Sequence, residues 1–171
     1  MSYEISGALG VKMANPDKEE IAFVGDGSYL LFNSDNYSSV ITNNNLIIVL
    51  CDNGGHAVIY RLQLFKGGKE FNCLFNSSKA PNLVPVNFAK HAESMGAKSE
   101  EVSSISELEE AFKRAKKSDV TYLISIKTHS YEWLEGSAYW ESPTLEMPST
   151  KENEEALKLH KEGKSKQRQG V

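Results

Sequence analysis

The chain has 171 residues, 40% of them hydrophobic and 25% charged, which is the balance of one globular domain with material for a single sizeable core. A formal net charge of −4 argues against a dedicated nucleic-acid binder, whose phosphate contacts need a basic face. No apolar run reaches the length of a membrane span, and the opening MSYEISGALG lacks the basic start and apolar centre of a signal peptide.

Residues 3–14 place Ile5, Ala8, Leu9 and Met13 at helical spacing, and Asn15-Pro16 ends the pattern, so a helix is predicted there. Gly7 and Gly10 fall on roughly one side of it, where a close helix contact is one reading and two tolerated glycines the other. Ile21 to Val24, after a charged turn, reads as a short buried strand. Residues 28–42 read as one helix of mediocre propensity. Residues 46–50, LIIVL, form an uninterrupted, β-branched-rich run of the kind covered on both faces of a parallel sheet. Cys51 closes that run and is expected as a buried free thiol. Neither it nor Cys73 has a metal-type spacing, so a reducing cytoplasm is expected.

Residues 56–64 read as helical, and residues 65–84, rich in Gly, Asn, Ser and Pro, as a long loop of a length that is often functional. Val86 to Met95 makes a further helix with Phe88, Ala89, Ala92 and Met95 inward and Gly96 as its stop. Residues 98–103 suggest a short strand. Residues 106–117 predict a helix with Ser106 and Glu109 as a capping box and Leu108, Ala111, Phe112 and Ala115 as one apolar stripe. Val120 to Ile126 is a buried strand. Strands alternating with helices predict an α/β domain, with an open, mostly parallel sheet and helices on both faces, over residues 1–129.

The composition then changes. Residues 130–150 form an aromatic extension whose Trp133, Tyr139 and Trp140 are expected to pack this segment onto the core or onto another domain. Residues 151–171 are a charged tail, expected as a frayed surface helix ending in disorder. His91 is expected at the surface, His129 and His160 carry no signal, and Lys12 and Arg61 read as solvated cations.

The chemistry concentrates where two apolar runs end, at Gly25-Asp26-Gly27-Ser28 and at Asp52-Asn53-Gly54-Gly55. In open parallel sheets ligands bind beyond the carboxyl ends of the strands, so neighbouring strands would bring Asp26 and Asn53 to one point. A carboxylate, an amide oxygen and the carbonyls of a Gly-Gly turn suit a hard cation such as Mg²⁺. Gly27 and Ser28 open a helix whose free N–H groups favour a phosphate. Together they imply a metal-bound diphosphate. No Ser/His/Asp or Cys/His nucleophilic arrangement is legible, so no catalytic residue is assigned.

The spacing from Gly25-Asp26-Gly27 to Asp52-Asn53 resembles the signature of thiamine-diphosphate (ThDP) enzymes in their diphosphate-binding domain. YEISGALGVKMANPDKEE, GDGSYLLFNSD, LVPVNFAKHAESMGAKSEEV and SAYWESPTLEMPS are similar to the carboxyl-terminal third of the trihydroxycyclohexanedione hydrolases of myo-inositol breakdown. The resemblance implies Asp26, Asn53 and the Gly55 carbonyl as metal ligands. It implies Gly25, Gly27, Ser28, Gly54 and Gly55 around the cofactor, with Ser28 and the N–H groups of Gly27 and Ser28 on the diphosphate. Asp52 departs from the usual asparagine at a position that is not a ligand. His56 is left with two readings, a cofactor or substrate contact and an exposed residue at a helix start.

Enzymes of this kind are longer, and a glutamate in another domain activates the cofactor. The expectation is therefore a chain that grips ThDP and Mg²⁺ but needs an amino-terminal pyrimidine-binding domain or subunit to open a cyclic 1,2-diketone. Surfaces left uncovered by that partner predict a homo-oligomer. The alternatives are the short subunit of a two-subunit ThDP decarboxylase or oxoacid oxidoreductase, and a non-catalytic remnant.

Overall fold

A computed structural model describes residues 1–80, 82–133 and 146–168. The expected Tyr139 and Trp140 packing falls outside these residues. Four strands, β1 (Ile21–Gly25), β2 (Ile47–Asp52), β3 (Lys98–Val102) and β4 (Tyr122–Lys127), form one parallel sheet in the order β1-β2-β4-β3. Seven helices accompany them among the described residues: α1 (Glu4–Ala14), α2 (Asp26–Leu31), α3 (Ser34–Ile41), α4 (Ala57–Phe65), α5 (Phe88–Ser94), α6 (Ile105–Ala115) and α7 (Lys151–Lys166). None of them is long and apolar enough to cross a membrane.

The two-period of the strands sorts their side chains between two cores. Ala22, Val24, Ile48, Leu50 and Leu123 point to one face, where Ile5 and Leu9 of α1, Tyr29 of α2 and Phe88 and Ala92 of α5 cover them. Ile47, Tyr122, Ile124 and Ile126 point to the other, under Ala111 and Ala115 of α6. Ile48, Leu50, Leu123 and Ile124 are fully buried, each contributing on the order of 1.5–3 kcal/mol of transfer free energy. The central β2 is closed on both sides, as its LIIVL run dictates. The edge strand β1 is not: its outward residues include Phe23, 65% exposed, so only its inner face is buried.

Several local expectations are corrected. The single helix over 28–42 is two helices. Phe32 is extended between them, and the Asn33 side chain turns back to donate to the Tyr29 carbonyl at 3.1 Å. Short polar side chains compete with helical hydrogen bonds in this way. The α6 cap is Ser104, which accepts from the Glu107 N–H at 3.2 Å, and not Ser106. The Glu107 carboxylate accepts from the Ser103 N–H at 2.7 Å, closing the same turn from the other side. Met13 is 60% exposed, because α1 buries only the stripe through Ile5 and Leu9.

The polar residues read as solvated mostly have partners. Lys12 donates to the carbonyls of Pro16 and Lys18, at 2.8 and 2.5 Å, tying the α1 end to the following turn. His91 Nδ1 shares a 2.9 Å hydrogen bond with the hydroxyl of the buried Tyr29. Arg61 lies 5.6 Å from the Trp133 ring, and Tyr60 meets Tyr131 edge-on at 5.5 Å, so the segment after residue 129 starts against α4. His160 is buried against Lys66.

Candidate functional site

β1 and β2 are direct parallel neighbours, with Gly25 opposite Cys51. The chain leaves β1 at Gly25, which is still extended, and enters α2 at the next residue. Asp26 thus opens a helix with its side chain wholly buried at the sheet's carboxyl edge. The chain leaves β2 at Asp52 and turns through Asn53, Gly54 and Gly55 into His56, which caps α4. Gly54 has φ 80° and Gly55 φ 137°, conformations that side-chain-bearing residues rarely adopt. The Gly55 N–H donates to Asp26 Oδ2 at 2.6 Å. The two glycine-bearing segments therefore meet.

Crowding at this corner explains the glycines. A Cβ on Gly27 would overlap the His56 imidazole and stand 2.8 Å from the Gly55 carbonyl oxygen. A Cβ on Gly55 would stand 2.5 Å from the Cys73 carbonyl oxygen. The second contact comes from the long loop, which pairs Leu74 with Gly55 in an antiparallel bridge. There the His56 N–H donates to the Cys73 carbonyl at 2.6 Å and the Phe75 N–H to the Gly54 carbonyl at 2.8 Å. The loop thus builds the back wall of the turn. His56 is half-buried, with its ring packed against Gly27 in the first turn of α2. Ser28 is buried in α2, and Asn53 is half-buried with its carbonyl accepting from Ser130 Oγ.

Burial holds the Asp26 carboxyl above the ordinary carboxylate range. The Gly55 N–H opposes that rise, the nearby charge of Asp52 adds to it, and the N–H groups of Gly27 and Asn53 lower it. Asp52 is the residue whose part the sequence understated. It is buried, sits directly opposite Lys127 in the β2–β4 register, and forms an ion pair with it. Its other oxygen accepts from the Gly54 N–H at 3.1 Å, shaping the turn. A lysine closing the apolar run of β4 was the available signal. Beside Asp52 and Gly54 opens a cleft of about 310 Å³, walled by Leu30, Phe75, Val84 and Phe88.

Among the described residues no cluster of three or more His, Cys, Asp or Glu side chains could hold a metal. At the corner the Asp26 carboxylate lies beside the backbone of the 53–55 turn, where the Asn53 and Gly54 carbonyls already accept from Ser130 Oγ and the Phe75 N–H. A carboxylate with backbone carbonyls is the kind of oxygen donor that suits a hard cation.

The fold is a parallel α/β sheet that brings an acid-bearing helix start and a glycine turn together at its carboxyl edge, the side on which sheets of this class bind ligands. Residues 1–126 match the family described as thiamine pyrophosphate enzyme, C-terminal TPP binding domain. The chain belongs to that family. It is 35% identical, over 95% of its length, to a 3D-(3,5/4)-trihydroxycyclohexane-1,2-dione hydrolase of Halalkalibacterium halodurans, of which it covers 26%. It is 36% identical, over 82% of its length, to the hydrolase of the same name from Bacillus subtilis, covering 22% of it. The chain thus spans about a quarter of the length of these relatives. Among solved structures, a thiamine diphosphate-dependent 4-hydroxybenzoylformate decarboxylase of Rhodococcus jostii RHA1 shares the fold. It has a TM-score of 0.63 and 22% identity, over 77% of this chain and 24% of that one.

Proposed function

We propose that this chain is the diphosphate- and Mg²⁺-holding portion of a ThDP-dependent hydrolase that opens a cyclic 1,2-diketone. The observation carrying this reading is the meeting of Asp26 with the 53–55 turn, fixed by the 2.6 Å bond from the Gly55 N–H. Similarity to the trihydroxycyclohexanedione hydrolases supports the substrate class.

In this reading the Asp26 carboxylate, the Asn53 amide oxygen and the Gly55 carbonyl hold Mg²⁺. Held there, a divalent cation would offset the like charges of Asp26 and Asp52. The N–H groups of Gly27 and Ser28, with the Ser28 hydroxyl, take diphosphate oxygens at the start of α2. Gly25 and Gly54 leave the backbone uncovered, and His56 supports the cofactor from the α4 side. When bound, ThDP supplies a nucleophilic carbon and an electron sink for carbon–carbon cleavage. This chain's own residues bind and orient. The glutamate that activates the cofactor is assigned to a separate domain or subunit, as the relatives' fourfold greater length allows. Residues 1–129 are assigned to the cofactor domain, 130–150 to an aromatic extension and 151–171 to a charged tail. The two free thiols accord with a cytoplasmic setting. Exposed Phe23 and Leu31 favour self-association, which sedimentation at micromolar concentration tests.

Calorimetry with ThDP and Mg²⁺ tests the site. Binding should require the metal and disappear in Asp26→Ala, because the remaining amide and carbonyl oxygens carry no charge to offset desolvation of the cation. Unchanged ThDP affinity in that variant would remove the site assignment. Mixing the chain with a separately produced glutamate-bearing domain, ThDP and Mg²⁺ should then hydrolyse the cyclic diketone.

A further inference from the structure

The helix α4, which carries His56 at its start, is poorly anchored by the sheet. Ala57 is its only buried residue, while Val58, Leu64 and Phe65 are exposed. Tyr131 and Trp133 pack against its middle, and its far end is held by α7. Asn153, buried in the first turn of α7, donates through Nδ2 to the carbonyls of Lys66 and Gly67, at 3.2 and 2.9 Å. These carbonyls follow the end of α4, where backbone acceptors lack helical partners. The two backbones touch: Gly67 has φ 74°, and a Cβ there would stand 2.6 Å from the Glu152 carbonyl carbon and 2.8 Å from the Asn153 nitrogen. Two turns further along α7, the buried His160 presents Nδ1 to Lys66 Nζ at 3.2 Å.

From this junction the chain runs directly back to the cofactor corner. Gln63 Oε1 accepts from the Phe71 N–H at 3.3 Å, and its carbonyl accepts from the Gly68 N–H at 2.9 Å. Leu74 then bridges Gly55. α4 and residues 66–75 therefore form a closed circuit, with the glycine turn at one end and α7 at the other.

We propose that α7 is a clasp that sets the position of the 53–56 turn, with Asn153 and His160 as positioning residues acting through α4 and the 66–75 segment. A helix that buries so little of itself carries a displacement at one end to the other, and the start of α4 follows directly on the turn whose Gly55 N–H donates to Asp26.

The inference rests on the corner being a cofactor site, and its test separates the two ideas. Amide hydrogen exchange is read on the 171-residue chain without cofactor. The reporters are the His56 and Phe75 amides, which donate to Cys73 and Gly54. Ile48 and Ile124 in the central strands report on the intact core. Asn153→Asp keeps the size but replaces both donors with a charge facing carbonyls. It should accelerate exchange at both reporters about fivefold or more, with the core amides unchanged. His160→Ala should act in the same direction, and His160→Gln, which retains an acceptor for Lys66, should restore protection. If Asn153→Asp loosens the core as well, His160→Ala reads the same amides in a milder background. Unaltered exchange at His56 and Phe75 while Gly67 and α7 loosen overturns the clasp. In a second arm, the Kd for ThDP with Mg²⁺ should weaken about fivefold in Asn153→Asp. Altered reporter exchange in a chain that binds no ThDP leaves the clasp standing and removes the cofactor reading.

Discussion

The Gly55 amide donates to the Asp26 carboxylate at 2.6 Å across 29 positions of sequence, and this bond ties together the ends of two adjacent strands. Its geometry depends on two special glycine conformations and on a loop pressed behind them. Its energetics depend on a carboxylate that the fold has buried at some cost.

That cost gives the first expected outcome. Burial raises the Asp26 pKa, so the folded chain holds this proton more tightly than the unfolded one. The corresponding stability is present below the ordinary carboxylate range, near pH 4, and is lost as pH rises through the folded pKa. Asp26→Asn removes the charge and keeps an oxygen for the Gly55 N–H. Without metal, it should therefore be more stable than the parent at pH 7, by about 1 kcal/mol, with the advantage shrinking toward pH 4. Thermal denaturation across that range measures it, and a less stable variant at pH 7 refutes the desolvation cost assigned to Asp26.

Gly27 should tolerate no side chain. Alanine there meets the His56 ring and the Gly55 carbonyl, and should cost about 1–3 kcal/mol in urea denaturation as well as weakening ThDP binding. Adding His56→Ala removes the ring but not the carbonyl, so roughly half the loss should return. Full additivity of the two substitutions would show that a side chain at position 27 and the His56 ring do not compete for this space.

Alkaline pH should weaken the fold through Tyr29. Burial pushes its hydroxyl up to about 12 from an ordinary value of 10.0. Above pH 10 the unfolded chain sheds this proton while the folded chain keeps it. Stability is therefore complete below pH 10 and falls as pH rises toward 12, by up to about 3 kcal/mol. Denaturation at successive pH values should show that slope in the parent and a shallower one in Tyr29→Phe.

The two serines before α6 should separate cleanly. Ser104→Ala removes the side-chain acceptor of the Glu107 N–H and should cost about 1 kcal/mol. Ser106→Ala, already inside the helix, should change stability by less than about 0.5 kcal/mol. Urea midpoints of both variants decide the matter, and equal losses would mean that the cap is shared.

The LIIVL run read as a strand covered on both faces because a central strand of a parallel sheet buries successive side chains, and residues 46–50 are all buried, while Cys51, expected to be buried too, is half-buried. The convergence of Asp26 with the 53–55 turn was legible for a related reason: parallel neighbours end at the same edge. The break at Phe32–Asn33 was not, because apolar spacing is blind to a side chain that turns back on the preceding helical turn.

What the sequence determined by itself was the order of elements, the two-sided burial of the central strands and the edge at which the chemistry gathers. These follow from periodicity and from glycine, both local properties. Only the tertiary structure decided that His91 pairs with Tyr29, that Asp52 pairs with Lys127, and that Asn153 and His160 hold the far end of α4. A polar side chain has many possible partners, and the one it finds is set by which distant backbone the folded core brings within about 3 Å of it.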